Sequence, residues 1–593
     1  MIKVTDYIAK RLKEHGVEHF FMVSGGGAMH LNDSLWRLIP YTANHHEQAC
    51  AIAAEGYARV NQRLAVVNVT TWPGGLNTLN GLMWQWTDSV PVLYLSGQVK
   101  YSTTMDSCKE IPLRQLWDQE VDIISVVKPL TKYAEMVTDA KYIKYHLDRA
   151  IYEATHGRMW PVWLDIPMNI QGALIDENEL VEFTEPKIDK KYDLKIGIVI
   201  DYLKNAKRPL IVAGHWIRLS GQIDNFDELI KIMNIPVVTT FNGYDLMDSN
   251  DHLFAGRIWT VGQRSGNFVL QNADVILFLW TRNNIRQVSY NWENFAKNAV
   301  KIVVDIDEAE LNKPTVHPNI SINADLNDFI PNLVSKAQDF SKKERWEYCR
   351  NIVQKYSFEN SSDYTKNEGD EINVYHFIHE LTSLIPDNSI LIAANGSACV
   401  CAHQVWIVKN GQRQFWNSGD ASMWYDLPAA IGAAYQANWR PVICLAWDGS
   451  IMMNLQELET ISYNKLPIKI FVINNNGYSS IRQTQRNFFD GHMTWSGVDS
   501  GVWIPEFSKI AAAFNIPTIQ IKNTQKMKEW ISQGLSAKGP ILVEVFTEQE
   551  YAFLPKLSAK KLPDGSMISP SLEDMYPFLP EEEMKENMFI SKK

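Results

Sequence analysis

Short, mostly apolar runs punctuate this chain, each flanked by turn residues and separated by stretches of helical period. Phe20–Val23, Leu64–Val69, Pro91–Ser96 and Val162–Pro167 make a first set. Pro209–Val212, Pro236–Thr240, Val275–Leu279 and Lys301–Asp305 make a second, and Val442–Leu445 and Ile468–Ile473 belong to a third. Runs that are apolar throughout predict strands covered on both faces, as in parallel sheets. The segments between them, such as Ala49–Arg59 and Ile451–Asn464, predict crossover helices. The fold class that follows is α/β: three doubly wound parallel-sheet domains, at 1–180, 190–340 and 371–550, and a tail at 551–593. The first and third blocks share a layout, a coarse internal repeat. Met1–Leu12 predicts an amphipathic helix, Thr70–Asn77 a loop, 168–190 an acidic linker, and 341–370 a charged helix and linker.

Charge and composition narrow the function classes. A net charge of −11, without a basic run, argues against nucleic-acid binding. No stretch of 18 apolar residues predicts a membrane span. The mixed-charge N-terminus does not read as a signal peptide, so a cytoplasmic protein is expected. Cys50, Cys108, Cys349, Cys399, Cys401 and Cys444 show no CxxC pair and no His at zinc spacing, which predicts reduced thiols.

The candidate chemistry centres on Ala446-Trp447-Asp448-Gly449-Ser450 and, after one predicted helix, Ile473-Asn474-Asn475-Asn476-Gly477-Tyr478. In a doubly wound sheet both segments leave the carboxyl edge, where ligands bind. A carboxylate, an amide oxygen and a backbone carbonyl suit Mg²⁺, and a helix start after Gly449-Ser450 suits a phosphate. Taken alone, the same residues describe an ordinary βαβ turn followed by a polar loop. No G-x-G-x-x-G follows a strand near an acidic ribose ligand, which leaves a dinucleotide-dependent dehydrogenase without support.

The whole run resembles the diphosphate-binding motif of thiamine-diphosphate enzymes. His46-Glu47-Gln48, Ala53-Ala54-Glu55-Gly56-Tyr57-Ala58-Arg59, Pro73-Gly74, Asp88-Ser89-Val90-Pro91, Ser96-Gly97-Gln98 and Gln119-Glu120 extend the likeness. They resemble the pyrimidine-binding domain of the acetolactate synthase type, the acetohydroxyacid synthase large subunit. The resemblance spans nearly the whole chain and implies pyrimidine-binding, central and diphosphate-binding domains with a lid-like tail. It implies that Asp448, Asn475 and the Gly477 carbonyl hold Mg²⁺. Glu47 falls on the catalytic glutamate that meets the aminopyrimidine, and Gln119 on the active-site glutamine. Pro73, Gly74, Asn77, Ser397, Ala421, Met423, Gly449, Ser450 and Tyr478 fall on thiamine diphosphate contacts, Met423 being the apolar wedge.

The reaction implied is decarboxylation of a 2-oxo acid, pyruvate first, with transfer of the acyl carbanion to an acceptor carbonyl. Thr484 stands where synthases that prefer 2-oxobutyrate carry Trp, which leaves a ketosugar acceptor or a plain decarboxylase as alternatives. Family enzymes pair Glu47 and the metal cage across a dimer interface, so a homodimer or homotetramer is implied. In the central domain Arg282, Arg286, Asp305 and Asp325 match flavin contacts. FAD itself stays open, because relatives exist without it and Gly262–Asn267 is not the flavin-type loop.

One departure recurs. Trp72, Trp117, Trp280, Trp424 and Trp447, and also Trp36, Trp84, Trp160, Trp216, Trp259 and Trp495, stand where glycine is expected, while Trp86, Trp163 and Trp292 read as genuine. An indole cannot replace glycine where the backbone needs positive φ or a close approach to phosphate. Two readings remain: a glycine codon decoded as tryptophan, or real indoles on a scaffold that has lost its cofactor.

Overall fold

In the computed structural model the chain is described throughout except at residues 188–190, 341–346, 365–368, 418, 562–563, 565 and 590–593. Parts of the expected linker at 168–190, of the 341–370 stretch and of the tail turn at Pro563 and Gly565 therefore lie outside the described residues.

Three six-stranded parallel sheets organise the protein. The first contains β1 (Phe20–Met22), β2 (Tyr41–Ala43), β3 (Ala65–Val69), β4 (Val92–Gln98), β5 (Tyr133–Met136) and β6 (Val162–Pro167), in the order β2-β1-β3-β4-β6-β5. The central sheet contains β7 (Pro209–Ala213), β8 (Val237–Thr239), β9 (Phe254–Arg257), β10 (Val275–Leu279), β11 (Val300–Asp305) and β12 (Ile320–Asn323), in the order β9-β8-β7-β10-β11-β12. The third contains β13 (Ile390–Ala393), β14 (Arg413–Phe415), β15 (Val442–Trp447), β16 (Ile468–Asn474), β17 (Thr518–Ile521) and β18 (Ile541–Phe546), in the order β14-β13-β15-β16-β18-β17. The first and third sheets thus share one strand order, which gives the sequence repeat a structural form. The central sheet has the order of a dinucleotide-binding fold.

The first and third domains are fused through two helices rich in small residues, α1 (Glu47–Asn61) and α2 (Asp426–Tyr435). Twelve of the 15 residues of α1 are buried, so it is covered on every side. The helices touch backbone to backbone: a Cβ on Gly432 would lie 1.7 Å from the Ala53 carbonyl oxygen, and one on Gly56 would lie 2.1 Å from that of Ala429. One hydrophobic cluster consequently runs from Phe21, Tyr57 and Tyr94 into Ile392, Leu427 and Val472. Inside it Arg59 is held by Glu55 at 2.9 Å and Asp88 at 2.5 Å, and donates to the Trp416 carbonyl at 3.1 Å.

Three local expectations change. Ile451–Asn464 is not one helix: Asp448–Ile451 and Glu457–Tyr463 are helical and a turn separates them. Within that turn buried Asn454 donates to the Trp424 carbonyl at 2.8 Å, a side-chain bond that competes with helix propagation. Thr70–Asn77 is not a loop: Trp72–Asn77 forms a short helix with Pro73 in its first turn, where proline is tolerated. The 168–190 stretch carries Leu174–Ile175, which pairs antiparallel with Ile2–Lys3, so the predicted N-terminal helix begins only at Val4.

Candidate active site

β15 and β16 are neighbours in register, with Trp447 opposite Ile473, so the segments that follow them emerge side by side at the carboxyl edge. Asp448 is fully buried there. Its Oδ2 accepts the backbone N–H groups of Asn475 and Gly477, both at 3.0 Å, and its Oδ1 accepts that of Gly449 at 2.6 Å. Burial nevertheless pushes its carboxyl up to about 7. Arg482 and the three N–H groups offset this only in part, so a further cation beside the carboxyl would favour its charged form.

Arg482 shapes the other wall. It lies on α3 (Ser479–Phe488) and donates to the carbonyls of Asn475 at 3.0 Å, Asn476 at 3.0 Å and Ser496 at 3.1 Å. Gly477 between them has φ +127°, and a Cβ there would meet the Ser496 oxygen at 2.6 Å, so this bend requires glycine. Asn475 Oδ1, the expected metal ligand, accepts from Trp447 Nε1 at 3.1 Å, and buried Asn475 Nδ2 has no hydrogen-bond partner among the described residues.

The remaining third-domain residues surround this cage. The ring of half-buried Tyr478 lies over Gly449, where a Cβ would be 2.3 Å from it. Ser450 Oγ donates to Asp426 at 2.6 Å and accepts from the Trp424 N–H at 2.9 Å. Ser397 meets Ser479 at 3.3 Å, and Ser479 meets Tyr551 of the tail at 2.9 Å. Met423 is half-buried, and exposed Ala421 has φ +60°. Thr484 is exposed on α3.

Glu47 opens α1 on the first domain, where helix polarity favours an anion. It is half-buried and accepts from Asn77 at 3.0 Å, while Gly74 approaches so closely that a Cβ would lie 3.1 Å from Glu47 Oε1. Pro73 sits on the same short helix. Gln119 stands exposed at φ +58°, apart from this group. Among the described residues no hydrogen bond or ion pair joins Glu47 to Asp448, Asn475 or Gly477.

A cavity lies where all three domains meet. Thr87 and Asp88 line it from the first domain, Arg282, Arg286, Trp216, Trp259 and Trp280 from the central one, and Cys399, Gly419 and Ala421 from the third. Arg282 also donates to the Thr87 carbonyl at 2.9 Å. Asp305 and Asp325 do not line it. Asp305 is buried, accepts from the Asp307 N–H at 2.9 Å and is pushed up to about 7 by burial. Asp325 caps the helix Leu326–Lys336 by accepting from Asn327.

Two residues at the site were not singled out from sequence. Arg482 is one; an arginine on a polar helix carries no signal that it grips carbonyls. Glu457 is the other, reaching from the third domain to Asn44 and His45 just before Glu47. In sequence it reads as an ordinary acidic residue at a helix start.

As a whole, the donor set of Asp448, Asn475 and the Gly477 carbonyl fits a hard divalent cation by chemistry, with one obstruction, the Trp447 indole on Asn475 Oδ1.

Family models place these domains. "Thiamine pyrophosphate enzyme, N-terminal TPP binding domain" matches residues 2–126, the central domain of the same enzymes 196–333, and the C-terminal TPP binding domain 394–545. An acetolactate synthase of Arthrospira platensis is 27% identical over 552 residues, covering 90% of this chain and 92% of that one. The acetolactate synthase large subunit of Cyanidium caldarium is 27% identical over 580 residues, covering 93% and 94%. That of Lactococcus lactis is 28% identical over 569 residues, with the same coverage.

Proposed function

Because this chain belongs to the thiamine pyrophosphate enzymes, we propose that it is an acetolactate-synthase-type carboligase, which decarboxylates pyruvate and transfers the acyl unit to an acceptor carbonyl. The observation that carries this reading is the buried Asp448 carboxylate, held by three backbone N–H groups beside Asn475 and Gly477 at the carboxyl edge of the third sheet.

Thiamine diphosphate, when bound, supplies the electron sink for carbon–carbon bond cleavage. The chain's own groups do the rest. Asp448, Asn475 and the Gly477 carbonyl would hold Mg²⁺ once the Trp447 indole is off Asn475 Oδ1, and Arg482 fixes the spacing of their loop. Glu47, oriented by Asn77, would hold or give up the proton of the aminopyrimidine. Met423, Ala421, Gly449, Ser450, Tyr478, Ser397, Pro73 and Gly74 shape the walls around the cofactor, and Gln119 meets the substrate. Arg282 and Arg286 bring positive charge to the three-domain cavity, which suits the diphosphate of FAD. Asp305 and Asp325 act from the carboxyl edge of the central sheet.

Glu47 and the cage lie on different domains, and among the described residues no hydrogen bond or ion pair joins them, which supports a site completed between two copies of the chain. Exposed Ile111, Leu113 and Leu116 near Gln119, and Ile481 and Phe488 on α3, supply apolar surface for that contact. The six cysteines are free and five are buried, which suits a reducing cytoplasm. Among the described residues no helix is long and apolar enough to cross a membrane.

The test is to incubate the protein with pyruvate, Mg²⁺ and thiamine diphosphate and to measure CO₂ and acetolactate. Absence of CO₂ release under all acceptor conditions overturns the reading. Mixing inactive Glu47→Gln and Asp448→Ala chains should restore part of the activity, and no restoration overturns the shared site.

A further inference from the structure

Twenty tryptophans are spread along this chain, and the backbones of the described ones divide them into two kinds. Trp280, Trp424, Trp439 and Trp495 have φ of +51°, +61°, +69° and +48°. That left-handed region is one that bulky side chains avoid and glycine enters freely. Among the described residues the chain's Phe and Tyr, 23 of each, provide no such case. Aromatic bulk in general is therefore kept out of this conformation, and tryptophan alone breaks the rule.

Trp439 is the clearest instance. Asn438 and Trp439 both have positive φ, at +48° and +69°, and the Arg440 N–H donates to the Ala437 carbonyl at 3.0 Å. This is a type I′ turn, whose central pair is characteristically Asn-Gly. The Trp439 indole is fully exposed and makes no ring contact within the described residues. Trp495 is also mostly exposed. Trp424 buries an Nε1 that has no partner. Trp280 lines the three-domain cavity, its ring 4.3 Å from that of Trp216.

Trp447 fails for a different reason. Its φ of −118° suits any residue, but its indole N–H covers Asn475 Oδ1 and leaves Asn475 Nδ2 buried and unpaired. Trp163 provides the contrast: it is buried, donates to Ser96 at 2.8 Å and stacks on Tyr94 at 4.8 Å with the rings 5° from parallel. That environment is built for an indole.

We propose that positions 280, 424, 439, 447 and 495 are glycine in the protein its own cells make, because one codon that those cells read as glycine has been written as tryptophan. For the four left-handed positions the argument stands on conformation alone, whereas for 447 it also rests on the thiamine diphosphate reading. Glycine at 447 uncovers the metal ligand, and glycine at 280 opens the cavity behind Arg282. Trp36, Trp72, Trp84, Trp117, Trp160, Trp216 and Trp259 have backbones that any residue adopts, and the shared codon decides them.

The experiment is peptide mass spectrometry of the protein isolated from its source cells, read beside the gene. Glycine is expected at all five positions, under one codon that differs from the codon of Trp163, with Trp163 itself found as tryptophan. Tryptophan at any of the four left-handed positions overturns the assignment, and tryptophan at 447 overturns the opening of the metal site. A second measurement compares chains made with glycine or with tryptophan at the five positions. The glycine chain should unfold at higher temperature and bind thiamine diphosphate with Mg²⁺ in calorimetry at least tenfold more tightly. Equal stability of the two chains overturns the conformational argument. Glycine peptides without CO₂ release from pyruvate would remove the function and leave this assignment standing. Tryptophan peptides with turnover would do the reverse.

Discussion

Glu457 grips the chain just before Glu47: its Oε1 accepts the His45 backbone N–H at 3.0 Å, and its Oε2 accepts the Asn44 side chain at 2.7 Å. Glu457 lies on the helix that follows the metal-loop strand, and Glu47 begins α1 on the other domain. The acid of one half of the site thus sets where the acid of the other half starts. Glu457 Oε2 also accepts the Thr460 hydroxyl at 2.9 Å, so Glu457→Ala would leave three donors without their acceptor, a loss of about 1–3 kcal/mol for each that stays buried. We expect kcat to fall while thiamine diphosphate affinity changes little, with Glu457→Gln keeping more activity. Steady-state kinetics and calorimetry on the two variants check this.

Glu47→Gln should leave the fold intact, since the side chain is half-buried and among the described residues bonds only Asn77. Removing a general acid–base group should cost about a hundred- to ten-thousand-fold in kcat. Unchanged melting with lost CO₂ release is the expected pair of results.

Gly432→Ala tests the seam between α1 and α2. A methyl there would sit 1.7 Å from the Ala53 oxygen, so the helices have to separate. The cost should reach about 3 kcal/mol, the upper range for overpacking. Denaturant unfolding reads it directly, and substitution at Gly221, where a Cβ meets nothing, is a poor control only because its φ is +67°. Gly197→Ala, with open space and ordinary φ, is the suitable one.

Acid should loosen the same seam. His19 stacks at 4.0 Å on Tyr435 of α2, and burial lowers its imidazole from 6.5 to about 3. The folded chain refuses a proton that the unfolded chain accepts below 6.5. This depressed folded value makes the contribution of His19 complete above 6.5 and lost as pH falls toward 3. The slope is about 1.4 kcal/mol per pH unit. His19→Phe should flatten that slope, as followed by urea midpoints across the acid range.

Much of this architecture was legible in the order of residues. Mostly apolar runs such as Val275–Leu279 and Ile468–Ile473, which only Lys469 interrupts, predict buried parallel strands, because both their faces need cover. The Asp448 and Asn475 segments were legible too, since residues that leave adjacent parallel strands must share an edge. So was the anomaly of the tryptophans, as a mismatch of residue type.

Tertiary structure decided what depends on contacts distant in sequence. Glu457 and Arg482 became site residues only when folding placed a carboxylate against His45 and a guanidinium against three carbonyls. The break after Ile451 required Asn454 to find Trp424. Trp439 was not singled out from sequence and was recognised from its backbone, because left-handed φ is a property of the folded turn and Asn438 alone is a weak mark of it. Local pattern determined which segments pair and which chemistry they carry. Long-range packing determined which side chains meet, because a hydrogen bond depends on distance in space and not on separation along the chain.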